Sequence, residues 1–320
     1  MARSIFLTGA TGFVGGALLK RLVADDFAVM AAVRSNQNKI LRDVSTVEFS
    51  SFEETSWAQS LVGVEIVVHC AARVHVMNDA ESDPLQAFRK VNVEGTLNLA
   101  RQAAAAGVRR FIFISSIKVN GELTPPNTPF TADDQPSPRD PYGISKMEAE
   151  QGLRELAAAT GMEVVIIRPV LVYGPGVKAN FLNMMRWLDK GIPLPFGAIH
   201  NARSLVAVEN LTDLIVTCID HPKAANQIFL VSDGDDLSTT QLLKRMAKAL
   251  HKSALLLPIP SVFLTATANF LGKKSLSQRL CGSLQVDIGK TRSLLQWIPP
   301  VTVDEALIKT ALHYLGSKTK

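Results

Sequence analysis

The sequence predicts an α/β fold: a doubly wound parallel sheet followed by a smaller, mostly helical lobe. Short β-branched runs alternate with helical patterns through the first half. Those runs are apolar throughout, as strands covered on both faces are. After Arg168-Pro169 the alternation stops, and loops and helices take over.

The elements follow in order. Ser4 to Leu7 reads as the first strand, and the turn Thr8-Gly9-Ala10-Thr11-Gly12-Phe13-Val14-Gly15 follows it. A helix is expected from about Phe13 to Ala24. Ala28 to Val33 and Val47 to Phe49 read as the second and third strands. Val64 to His69 reads as the fourth, ending at Cys70-Ala71-Ala72. A long helix is expected over about Pro84 to Ala106, stopped by Gly107. Phe111 to Ile114 is the fifth strand. A helix over Pro141 to Thr160 stops at Gly161, and Val164 to Ile167 is the sixth strand. Loop residues thicken from Tyr173 to Asn201, and one further strand is expected at Ile228 to Val231. The expected division is a sheet domain over residues 1–173, completed by later segments at about 204–232, and a lobe over 174–320.

Composition narrows the function. The 320 residues are 47% hydrophobic and 20% charged, as in an ordinary globular protein. The formal charge of +5 is scattered, so no nucleic-acid partner is needed to explain it, and an anionic small molecule suits it equally well. Cys70, Cys218 and Cys281 are odd in number and far apart, which fits a reducing compartment and argues against a disulfide framework. His69, His75, His200 and His251 lack metal-ligand spacing, so no metal is expected. The N-terminus shows no signal-peptide pattern. No apolar run reaches about 18 residues. Leu255 to Leu271, broken by Pro258, Pro260 and several polar residues, reads as a core or interface helix. A cytoplasmic protein without membrane insertion is expected.

Gly9, Gly12 and Gly15 follow a strand and open a helix, the context that a dinucleotide-binding turn requires. Gly9 permits the tight turn, Gly12 the approach of a pyrophosphate, and Gly15 close helix–strand packing. The helix N-terminus adds free N–H groups and partial positive charge. The second strand ends Val33-Arg34-Ser35 without the acid that an NAD site usually places against the adenosine ribose. Arg34 and Ser35 suit a 2′-phosphate, so NADP(H) is favoured over NAD(H). The other reading has Arg34 stacked on adenine or solvated.

Tyr142 and Lys146 lie four apart on an expected helix and so share a face. A cation beside a phenol lowers the phenol's pKa from about 10 toward the range of an acid–base catalyst. Ser115 and Ser116 run off a strand at its carboxyl end, where ligands sit in open α/β sheets. Ser116 is the better candidate to hydrogen-bond a reacting oxygen, because Ser115 reads equally well as a strand-end residue satisfying a turn. Together these residues read as hydride transfer coupled to proton transfer at a carbonyl.

The turn Thr8–Gly15, Ala71-Ala72, Asn92-Val93-Glu94-Gly95-Thr96, Ser115-Ser116 and Tyr142–Lys146 resemble the extended short-chain dehydrogenase/reductase family, in its nucleotide-sugar epimerase/dehydratase branch. The resemblance covers nearly the whole chain and implies a Rossmann-type sheet. It implies that Ser116, Tyr142 and Lys146 are catalytic, with Lys146 also holding the nicotinamide ribose. It extends the cofactor site from the glycines to Thr11, Phe13, Val14, Ala71, Ala72, Asn92 and Pro169. In the second half, Asn180 resembles a residue that grips a nucleotide diphosphate, and Arg203 and Arg279 resemble its phosphate-binding arginines. Lys118 joins Ser116 and Tyr142 as a candidate substrate contact. Leu171, Asn120 and Ser51-Phe52 depart from the family pattern, as does Lys118 itself. The family also suggests a homodimer through the helices near 84–106 and 141–160.

The resemblance implies a nucleotide-sugar oxidoreductase. The expected reaction is NADPH-dependent reduction of a UDP-4-keto-6-deoxy-(N-acetyl)hexosamine for surface polysaccharide such as O-antigen. The alternative is a UDP-hexose 4-epimerase that keeps NAD. A 4,6-dehydratase would carry an acidic pair beside the serine, where Ile117-Lys118 stands. A non-enzymatic dinucleotide sensor would have little reason to keep Ser116, Tyr142 and Lys146 together.

Overall fold

Strand β1 (Ser4–Thr8) pairs in parallel with β2 (Ala28–Val33) on one side and β4 (Ile66–His69) on the other. The computed structural model describes residues 3–34, 44–74, 83–270 and 274–318. β3 (Ser45–Glu48) continues the sheet beyond β2, while β5 (Arg110–Ile114), β6 (Glu163–Pro169) and β9 (Ile228–Val231) continue it beyond β4. The order of the seven strands is β3-β2-β1-β4-β5-β6-β9, all parallel. This is the expected doubly wound α/β fold.

The side-chain period of two sorts the strands onto two faces. Ile5, Leu7, Val68, Ile112, Val165 and Ile167 join one cluster with Leu18 and Leu22 of α1 (Phe13–Ala24) and Leu211, Leu214 and Ile215 of α6 (Val208–Asp220). Phe6, Val67, Phe111, Phe113, Val164 and Ile166 face the other way, onto Leu99 of α3 (Thr96–Ala105) and Ala149 and Leu153 of α4 (Pro141–Thr160). Each fully buried aliphatic or aromatic side chain contributes about 1.5–3 kcal/mol of hydrophobic stabilisation.

The long helix expected over 84–106 is present but interrupted. α2 (Pro84–Arg89) and α3 are joined by a π-helical stretch, Lys90–Gly95. Gly95 packs against Phe52 so closely that an added Cβ would come within 2.5 Å of the Phe52 Cβ. α4 matches its expected span. Asp140 caps its start by accepting the Gly143 N–H at 2.7 Å, Pro141 fills the first turn, and Gly161 ends it at φ +76°.

A third cluster is built from the second half. It joins Tyr173 of β7 (Leu171–Tyr173), Phe181, Met185 and Leu188 of α5 (Ala179–Asp189), Leu243 and Met246 of α7 (Thr239–Ala249), and Leu307 and Ala311 of α11 (Val303–Gly316). β7 pairs with β8 (Leu205–Ala207) in a separate small sheet. Helices α8 (Ser261–Phe270), α9 (Lys274–Cys281) and α10 (Gly289–Leu295) complete the chain before α11. The helix expected within Leu255–Leu271 is not a core helix, because Val262, Phe263 and Phe270 of α8 are exposed. Among the described residues, no helix is long and apolar enough to cross a membrane.

Candidate active site

The glycine turn is built as its spacing predicts. Gly9 takes φ +74°, and an added Cβ would lie 2.7 Å from the Ala71 N, so β1 and β4 close on each other there. A Cβ on Gly15 would fall 2.2 Å from the Gly9 carbonyl oxygen, so only glycine lets α1 seat on the turn. Gly12 is the N-cap of α1, with no side-chain cap and no acid in the first turn. The first N–H groups and the dipole of α1 are therefore open to an anion. This chemistry fits a dinucleotide diphosphate. Thr11, Phe13 and Val14 stand at the same helix start. Arg34 follows β2 and is exposed, while Ser35 lies outside the described residues, as does His75.

The ends of β1 and β4 are tied by a buried chain of hydrogen bonds. Thr8 Oγ1 lies 2.8 Å from His69 Nδ1, and His69 Nε2 lies 3.0 Å from Thr96 Oγ1. Thr8 Oγ1 also accepts the Ala71 N–H at 3.2 Å, which fixes the Ala71-Ala72 segment. Burial first, and the Lys146 charge second, push the His69 imidazole down to about 3. It is neutral and structural. Among the described residues no group of His, Cys, Asp or Glu could hold a metal.

Asn92 sits in the π-helical stretch and is buried. Its Oδ1 accepts the Arg73 N–H at 2.8 Å, and its Nδ2 donates to the Arg73 carbonyl and the Ser145 hydroxyl, each at 3.0 Å. It thus ties the segment after β4 to α4, one residue before Lys146. The wider turn that brings Asn92 inward has no signature in sequence, although such stretches recur at functional sites.

Tyr142, Ser116 and Lys146 come together at the carboxyl end of β5. Ser116 hydrogen-bonds the Tyr142 phenol. Lys146 is buried; its Nζ donates to the Ile114 carbonyl at 2.8 Å and lies 4.2 Å from the Phe113 ring centroid. One expectation is corrected. Surrounding protein raises the Tyr142 phenol above its ordinary value, the Asp140 charge adds to this, and the Ser116 hydrogen bond lowers it. Lys146 is itself pushed down to about 7 by burial, with Glu150 and Cys70 opposing. Burial is the largest cause for both groups, and Lys146 is not among the causes that act on the phenol.

The Ser115 hydroxyl serves a buried carboxylate rather than a turn. Ser115 donates to Glu150 Oε1 at 2.5 Å. Arg168 holds the same carboxylate, with Nε at 2.9 Å from Oε1 and Nη2 at 2.5 Å from Oε2. Arg168 Nη1 donates to Asn120 Oδ1 at 2.9 Å, and Asn120 Nδ2 donates to the Thr131 carbonyl at 2.8 Å. The departure at Asn120 thus completes a buried network beneath the site. Sequence reasoning missed Glu150 and Arg168; an arginine closing the apolar run Val164–Ile167 was the available signal.

Lys118 does not stand free for a substrate. It pairs with Asp140 and lies 3.8 Å from Glu122. It therefore offsets the carboxylate that raises Tyr142. Pro169 ends β6 and is buried. Asn180 is exposed in the first turn of α5, whose N-cap is Lys178, so Asn180 is not the cap. Arg203 and Arg279 are distant in sequence but interact electrostatically. Burial first, and the Arg279 charge second, push the Arg203 guanidinium down. Arg203 Nη1 donates to the Gly282 carbonyl at 3.1 Å. Two cations held together suit a diphosphate.

Comparison with known proteins places the chain among relatives. The model of the NAD-dependent epimerase/dehydratase family matches residues 5–232. A UDP-glucose 4-epimerase of Vibrio cholerae is 52% identical over 325 residues, covering 100% of this chain and 98% of that protein. The crystal structure of a UDP-glucose 4-epimerase from Thermotoga maritima with UDP-glucose has a TM-score of 0.79 at 23% identity, covering 99% of this chain and 100% of that one. A UDP-glucuronic acid 4-epimerase from Bacillus cereus in complex with NAD has a TM-score of 0.80 at 19% identity, covering 98% and 99%.

Proposed function

The chain belongs to the NAD-dependent epimerase/dehydratase family of extended short-chain dehydrogenases/reductases, and on that premise we propose that it is a UDP-hexose 4-epimerase that retains NAD. The observation that carries this reading is the 52% identity to the Vibrio cholerae UDP-glucose 4-epimerase across the full chain. The reductase expected from sequence gives way to its alternative. An epimerase returns hydride to the substrate that lost it, so a retained cofactor serves it, and NAD replaces NADP as the reading for the cofactor.

When bound, the nicotinamide supplies reversible hydride exchange at the sugar C4. The chain supplies binding, orientation and proton handling. Gly9, Gly12 and Gly15 and the open start of α1 hold the dinucleotide diphosphate, with Thr11, Phe13, Val14, Ala71, Ala72 and Pro169 around it. Tyr142 holds or releases the proton of the sugar O4. Ser116 hydrogen-bonds both this phenol and the reacting oxygen, and its bond to Tyr142 opposes the upward push of burial. Lys146 supplies positive charge beneath the site, and Asn92 fixes α4 next to it. Arg203 and Arg279 hold the substrate diphosphate, with Asn180 near the start of α5. We take residues 1–173 as the cofactor lobe and 174–320 as the substrate lobe, and a homodimer through α2–α3 and α4 as the assembly.

The test is to denature the purified protein, identify what it releases, and assay interconversion of UDP-glucose and UDP-galactose. Released NAD with interconversion supports the proposal. Tyr142→Phe should keep the cofactor and lose turnover. The reductase remains the second reading because no acid ends β2 and Arg34 stands there. Consumption of NADPH on a UDP-4-ketosugar, with no cofactor released, would favour it.

A further inference from the structure

Helix α8 turns an uncharged face to solvent. Its exposed positions are Val262, Phe263, Ala266, Thr267 and Phe270. Their spacing puts them on one side of the helix. Val262 is 74%, Phe263 66% and Phe270 91% exposed. A surface helix of a globular protein normally shows charged or polar residues there.

The patch extends past the helix. Leu194 N–H donates to the Leu255 carbonyl at 2.9 Å, and Leu257 N–H donates back to the Leu194 carbonyl at 2.8 Å. This pairing sets exposed Leu255 and Leu257 beside the segment carrying exposed Ile192. Phe263 N–H donates to the Pro260 carbonyl at 3.1 Å, and Pro260 bridges to Ala198, so α8 starts where the pairing ends.

The two paired stretches carry basic residues and no acidic ones. From Leu237 to Val286 the sequence has no Asp or Glu, and its exposed cations include Lys244, Lys248 and Lys252, while Arg245 is paired with Asp235 and Asp304. From Lys190 to Val208 there is again no acid. Lys190 and Lys252 are exposed, each within three residues of the exposed apolar positions of the paired segments.

We propose that this side of the lobe docks on the surface of an anionic phospholipid bilayer. The apolar face of α8 enters the headgroup–acyl boundary by roughly 5–10 Å, and the surrounding lysines meet lipid phosphates. α8 has ten residues and does not cross the bilayer. A second copy is the poorer occupant, because a twofold contact would set the same lysine-bearing rims against each other.

The experiment is flotation of the full-length protein with phosphatidylcholine vesicles, with and without phosphatidylglycerol. Binding should require or be strongly raised by phosphatidylglycerol and should weaken with added salt. Phe263→Ser combined with Phe270→Ser should cut partitioning by about tenfold or more while UDP-sugar turnover stays unchanged. Lys190→Glu combined with Lys252→Glu should abolish the advantage of the anionic vesicles. Absence of flotation with anionic vesicles, or flotation indifferent to the two phenylalanines, overturns the proposal. So does self-association that the phenylalanine substitutions dissolve, which would assign the face to a second copy.

Discussion

Glu150 and Arg168 form an ion pair in which each side chain is only 1% exposed, one turn of α4 beyond Lys146. The pair gathers Ser115 and Asn120 and so joins α4 to the ends of β5 and β6. Charges taken this far from water are costly, and the hydrogen bonds on both partners offset that cost. Glu150→Ala should therefore destabilise the fold by about 3–5 kcal/mol, because it strands the guanidinium. Glu150→Leu combined with Arg168→Met should cost much less than the sum of the single changes. Denaturant unfolding of the natural protein, Glu150→Leu, Arg168→Met and the double variant measures this, and additive losses would contradict it.

Lys146 gives stability a dependence on alkaline pH. Its folded value is about 7, below its ordinary 10.5. Between these values the unfolded chain binds more protons than the folded one, so stability rises with pH. The penalty for burying the ammonium is fully present below about pH 7 and fades toward 10.5. Relative to Lys146→Met, the natural protein should gain stability from pH 7 to 10. Urea midpoints for both proteins across that range read it directly; parallel curves would show that Lys146 is not desolvated.

His69 acts in the same direction on the acid side. Its folded value is about 3 against an ordinary 6.5, so stability falls as pH drops from 6.5 toward 3. His69→Gln should flatten that decline, whatever its effect at neutral pH. Acid-denaturation curves of the two proteins, compared by slope, check it.

Lys118 should act on catalysis through Asp140. Lys118→Met leaves the Asp140 carboxylate with less compensation, which raises the Tyr142 phenol further. The limb of the pH–rate profile that reports Tyr142 should move to higher pH, with KM for the nucleotide sugar little changed. A large rise in KM with an unmoved limb would instead make Lys118 a substrate ligand.

Arg203 and Arg279 should behave as the diphosphate site of the proposed reaction. A charge-assisted hydrogen bond contributes about 1.5–3 kcal/mol, so Arg203→Ala or Arg279→Ala should raise KM by roughly 10- to 100-fold. Cofactor retention should not change. Steady-state kinetics with UDP-glucose separates this from a folding defect, which would lower kcat and release cofactor together.

Local rules made much of this molecule legible in its sequence. Asp140-Pro141 at one end and Gly161 at the other mark α4, and the run Phe111–Ile114 marks β5. The glycine turn carries its own geometry, since Gly9 and Gly15 are positions where a Cβ cannot fit. What stayed hidden depends on tertiary environment. The four-residue spacing shows Tyr142 and Lys146 on one face, but it cannot show that both are desolvated there. Nothing in Lys90–Gly95 announces a widened helical turn. Arg203 senses the Arg279 charge because the chain returns past Gly282 to Arg203. Hydropathy finds α8 but cannot say that no other described element covers Phe263 and Phe270.

The strand order has a consequence for how the protein is made. A ribosome that has just finished α4 has released β5 without its neighbour β6, so the growing sheet shows an open hydrogen-bonding edge. β6 closes that edge and opens another, which waits for β9 at residues 228–231. Thr291 then donates to the Leu230 carbonyl, fastening the final strand with a segment from near the chain's end. Nascent chains stalled between residues 170 and 228 should therefore be the most prone to clump and the most dependent on chaperones.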